Sequence, residues 1–154
     1  MTGPVTIELS PSPRGMSRRV LRVIRVGSRW AHVALALAIV LGVFIQVYLI
    51  GAYIFGAGEG ALDAHETAGF TVHGFEVLVF IAALIAWLPW RDLVLSLLLA
   101  TIGTVQVALA SEHRWVGGLH PLLALVVLVL AATLALRAIR RLRQPKHLQL
   151  EGEK

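Results

Sequence analysis

Four long apolar runs, at 30–50, 67–88, 93–110 and 119–136, leave this chain little freedom in what it can fold into. Each is close to the ~20 residues that a helix needs to cross ~30 Å of hydrocarbon. In that medium every backbone N–H and C=O must be satisfied within its own segment, so each run is expected to be a helix. The fold class is therefore all-α, an integral membrane bundle of four helices. Composition agrees, since 57% of the residues are hydrophobic and only 15% are charged, a balance foreign to soluble domains. The connections at 51–66, 89–92 and 111–118 are short, which predicts an up-down bundle with antiparallel neighbours.

Charge placement predicts the orientation. Arg14, Arg18, Arg19, Arg22, Arg25 and Arg29 precede the first run, and Arg137, Arg140, Arg141, Arg143, Lys146 and Lys154 follow the start of the tail. The segment 51–66 has no Lys or Arg and carries Glu59, Asp63 and Glu66. By the positive-inside rule both the N- and C-termini are expected to be cytoplasmic. The net charge of +5 is thus a topology signal, not a nucleic-acid footprint. Residues 1–29 read as a basic flexible arm, or in their arginine-rich half as an interfacial helix. Residues 30–137 form the bundle and 138–154 a basic cytoplasmic tail. Trp30, Trp87, Trp90 and Trp115 fall at span ends, where an aromatic belt belongs. The polar, proline-containing N-terminus does not read as a signal peptide, so the first helix is expected to remain in the protein.

The chain has no cysteine, which removes disulfides, iron–sulfur clusters, thiolate zinc sites and covalent c-type haem. Histidine is left as the strong metal ligand. On the second span His65, Gly69, His73, Glu76 and Ala83 fall within an arc of about 80°. His73 and Glu76 lie deep, and an ionisable group at such depth is a functional candidate by default. On the fourth span His120 is preceded by His113 and followed by Ala124, Ala131 and Ala135, with Pro121 suited to a first helical turn. Gln46 and Gln106 add hydrogen-bonding groups at similar depth, which by themselves read equally as ordinary interhelical bonds.

A b-type haem in a bundle needs two imidazoles from facing helices, small residues where the macrocycle passes and polar groups near an aqueous face. Counting about 1.5 Å per residue from the cytoplasmic ends of their helices places His73, His120, His65 and His113 at roughly 21, 25, 33 and 36 Å. His73 and His120 match best as iron ligands. Helix tilt of about 20° shifts such depths by several ångströms, so His65 stands as the alternative partner of His120. His65 with His113 would make a second layer, giving one haem b or two. Gly69, Gln46 and Gln106 would flank the site, and Glu76 would bond a ligand's second ring nitrogen or relay protons.

The segment RVGSRWAHVALALAIVLGVFIQVYLIG resembles the opening helix of prokaryotic di-haem cytochromes b, including the b-type subunits of hydrogenases, where an Arg and a His begin the first span. There the first-helix histidine has a partner on the cytoplasmic side. Here no other span carries a histidine in that half, and His147 lies beyond the fourth, so His32 reads as interfacial or structural. More of the pattern is similar to a family of small uncharacterised four-helix bacterial membrane proteins. Gln46 closes helix one, His65 to Gly69 opens helix two, Gln106 lies in helix three and Leu119–His120–Pro121 opens helix four. This likeness runs nearly from Trp30 to Arg137, implies a multi-pass place in the bacterial cytoplasmic membrane and raises His65 beside His73 as partner of His120.

The expected function is one-electron transfer by a bis-histidine haem, within a redox complex or alongside a quinone or a partner subunit in the bilayer. No catalytic residue, covalent step or nucleic acid is expected, and homo-oligomerisation stays open. The rival reading is a colourless accessory subunit of a larger complex. A proton or small-solute conductor comes third, and a di-iron carboxylate site is poor because only Glu76 is deep.

Overall fold

The computed structural model describes residues 13–110 and 114–143. It contains five helices: α1 (Pro13–Ile54), α2 (Glu59–Ile85), α3 (Trp90–Ala110), a single turn α4 (Arg114–Gly117) and α5 (Leu119–Arg143). Four of these segments are long and apolar enough to cross a membrane. The expected spans are all present, but several edges move: α1 is longer at both ends, α2 starts earlier and ends three residues sooner, α3 starts earlier and α5 ends later. α1 begins at Pro13, where a missing N–H costs nothing, and runs unbroken for 42 residues. At about 1.5 Å per residue that is ~63 Å, twice the hydrocarbon thickness. The arginine-rich half of the arm is therefore a helix continuous with the first span.

Two reverse turns close the helical hairpins in the same way. At the end of α1 the Ala57 N–H donates to Ala52 O and the Gly56 N–H to Tyr53 O, with Gly56 at φ 92°. At the end of α2 the Leu88 N–H donates to Ala83 O and the Trp87 N–H to Leu84 O. Both are Schellman motifs, which place one residue in the left-handed region. Glycine takes that place in the first turn. Trp87 takes it in the second, at φ 53°, a conformation that costs a bulky residue on the order of 1–3 kcal/mol.

The four long helices pack as a ring: α1 touches α2 and α5, and α3 touches α2 and α5. Neither diagonal pair, α1 with α3 or α2 with α5, brings its backbones close. Small residues set the neighbour spacing, as is usual where lipid supplies no hydrophobic drive between helices. A Cβ on Gly42 would lie 2.5 Å from Val72 Cγ2, and one on Gly103 would fall on the Glu76 carboxylate. Large apolar side chains such as Leu41, Phe44, Leu97 and Val129 face outward, as a hydrocarbon solvent requires.

The core is not evenly distributed. Ile39, Val79, Leu99, Val127 and Leu134 are fully buried and pack together with Ala36, Ala131 and Ala135. Apart from Val127, they lie from the middle of the bundle toward the end that holds Arg29, the α2–α3 turn and Arg143, called here the basic end. Toward the opposite, histidine end, no described residue is buried beyond Val43 on α1, Glu76 on α2, Gly103 on α3 and Val127 on α5.

Candidate functional site

His65 lies in the second turn of α2, because that helix begins at Glu59. Its Nδ1 is 3.1 Å from the Gln46 carbonyl oxygen of α1, and the Gln46 carboxamide donates back to the His65 carbonyl at 2.8 Å. Gly69, one turn on, gives that exchange room, since a Cβ there would sit 3.2 Å from Gln46 Nε2 and press the carboxamide to shift slightly. The His-x-x-x-Gly spacing thus has a local cause: the ring and the gap that seats its glutamine share one helix face. On α5, His120 is the second residue and Pro121 follows within the first turn, where no intrahelical donor is lost. The His120 Nδ1 is 2.9 Å from the carbonyl oxygen of Gln106 on α3.

A carbonyl only accepts, so both Nδ1 atoms carry the proton, and each neutral ring keeps its lone pair on Nε2. The two rings lie 6.3 Å apart between centroids with their planes at 73°. They come from α2 and α5, the diagonal pair whose backbones do not approach. The other diagonal, α1 and α3, supplies the two carbonyls. All four helices therefore contribute to one layer.

This arrangement fits a haem. Two imidazoles on one metal, at about 2.0–2.1 Å per bond and about 1.1 Å from nitrogen to ring centre, place their centroids about 6.3 Å apart. Carbonyl-bound Nδ1–H groups are the usual support of ligating histidines. Among the described residues no group of three or more His, Asp or Glu side chains converges. A metal needing four protein ligands is poorly served, whereas a metal that brings its own equatorial nitrogens needs only two.

The remaining candidates separate from this layer. His73 hydrogen bonds Glu76, Nδ1 to Oε2 at 3.0 Å, and Glu76 is buried against Gly103. The depth-matched pairing of His73 with His120 is not the one the rings adopt; His65 occupies that place. Gln106 contributes its backbone carbonyl, and His113 lies outside the described residues, as does His147. His32 is buried and meets Ser96 Oγ at 3.3 Å through Nε2, a structural contact between α1 and α3.

One cluster was not foreseen. Asp92, expected in a loop, is buried in the first turn of α3. Arg137 Nε donates to its Oδ1 at 2.6 Å, and Arg141 pairs with its Oδ2. The signal was present: a lone acid opens the third span where the fourth ends in arginines spaced by four residues. No protein-family model matches the chain, and no curated protein or solved structure is significantly similar to it.

Proposed function

We propose that this chain is a membrane b-type haem protein that transfers single electrons, and that His65 and His120 would hold the iron. The observation that carries the reading is the facing of these two rings across the bundle diagonal, each with its Nδ1–H held by a backbone carbonyl. In this reading the bundle is up-down, with the arginine-bearing termini on the cytoplasmic side of a bacterial inner membrane, so the histidine layer lies near the outer face.

A haem bound there would supply a reversible ferric/ferrous couple. The protein's part is to hold both imidazoles in one tautomer and to raise the basicity of each Nε2 through the Gln46 and Gln106 carbonyls; two histidine ligands would leave no position for oxygen chemistry. The His73–Glu76 pair lies nearer the middle of the bundle and can hold or pass a proton. Among the described residues no second facing pair of histidines lies at the basic end, so a single chain carries electrons only on its outer side. Exchange with a membrane quinone there, or with a partner subunit, follows from that position.

The test is the visible spectrum of detergent-purified protein from haem-supplemented cells, air-oxidised and then reduced with dithionite. Sharp reduced bands are expected, lost in His65→Ala and in His120→Ala and kept in His73→Ala. Loss in His73→Ala with retention in His65→Ala would move the ligand to His73. A colourless, monodisperse preparation would overturn the haem reading and favour the accessory subunit, in which these histidines serve as interhelical hydrogen-bond donors.

A further inference from the structure

At the basic end a groove of about 720 Å³ lies between α1 and the end of α2. One wall is a stripe of cations: Arg18, Arg22, Arg25 and Arg29 are spaced by four, three and four residues and so share one face of α1. The floor is apolar, formed by Leu21, Ile24 and Ile85, and Trp87 closes one side. The Arg25 guanidinium stacks over the Trp87 ring, 4.4 Å from its centroid. Tryptophan at a span end marks the headgroup level of a bilayer, so Arg25 beside it lies at phosphate depth and Ile85, two residues inward, where the acyl chains begin.

The charges of this wall are uncompensated. Asp92 is the one carboxylate at this end among the described residues, and both its oxygens are taken by Arg137 and Arg141. None of the four groove arginines forms an ion pair among the described residues, and Arg29 lies close enough to Arg141 for the two to repel. An anion in the groove would relieve that repulsion, and an anion with an apolar tail would also cover the floor.

We propose that this groove is a binding site for an anionic phospholipid, its phosphate held by Arg22, Arg25 and Arg29 and its acyl chains entering the bilayer beside Ile85, on the hydrocarbon side of Trp87. Juxtamembrane arginines near a surface attract anionic lipid, and the fork of a guanidinium suits a phosphate. Trp87, in its left-handed conformation, positions an aromatic face where Arg25 is steadied for that contact.

The test is native mass spectrometry of the full-length protein in detergent, titrated with phosphatidylglycerol or with phosphatidylcholine of the same chains. Wild-type protein is expected to retain the anionic lipid at least about tenfold better. The exposed triple substitution Arg22→Gln/Arg25→Gln/Arg29→Gln should abolish that preference, and Arg140→Gln/Arg143→Gln, outside the groove, should keep it. Equal retention of the two lipids by the wild type would overturn the proposal without need of any variant. So would an unchanged preference in the triple variant, or displacement of the lipid by millimolar inorganic phosphate, which would make the site one for free phosphate.

Discussion

The two ends of the bundle solve opposite problems with similar residues. At the basic end polar groups are buried: Asp92 lies between two arginines and His32 meets Ser96 through Nε2, its Nδ1 buried without a partner, with Ile39, Leu99 and Leu134 packed beside them. At the histidine end the rings are bonded through Nδ1, and nothing around them is fully buried. Histidine as such therefore marks nothing. What separates His32 from His65 and His120 is whether the ring meets a hydroxyl of the neighbouring helix or a second ring.

That contrast can be broken by substitutions measured on one scale, the unfolding of the colourless protein in detergent. Asp92→Ala should cost most, about 3 kcal/mol. This is the low end for breaking a buried ion pair, because the arginine side chains keep 33–36% exposure. Gly103→Ala comes next at about 1–3 kcal/mol, since the new methyl must displace the Glu76 carboxylate. His65→Ala and His120→Ala should each cost only about 0.6–2 kcal/mol, the range of one interhelical hydrogen bond, while removing the whole visible spectrum of haem-loaded protein. A loss as large as that of Asp92→Ala would make the histidine layer structural and erase the contrast. Trp87→Gly should change stability by less than about 1 kcal/mol. It relieves the left-handed cost but gives up the stacking of Arg25.

Much of this was legible in the sequence because membrane insertion leaves few solutions: four apolar runs became four long helices. Edges were less legible. Span limits set by hydropathy stopped at residue 50 and resumed at 67, whereas α1 continues to Ile54 and α2 starts at Glu59. Polar residues in a helix beyond the hydrocarbon leave no apolar signal. His65 consequently sits more than a turn inside α2, and while depths counted from the opposite ends match His73 to His120, the ring facing His120 is that of His65. Periodicity speaks only of side chains, and it is the carbonyl oxygens of Gln46 and Gln106 that accept from the rings. Asp92 was hidden by its place at a span edge, where an acid is ordinarily solvated; its burial needs the docking of α5.

The diagonal origin of the two rings has a consequence for biogenesis. No hairpin of the chain contains both, since α2 and α5 make no backbone contact and are separated by all of α3 and α4. The facing pair comes into existence only when the last span is inserted and docked. If the two rings hold a haem as proposed, a nascent chain stopped after α3 would offer only His65 of the pair, so colour would report on completed insertion, and pigment yield would serve as a readout of translocation fidelity.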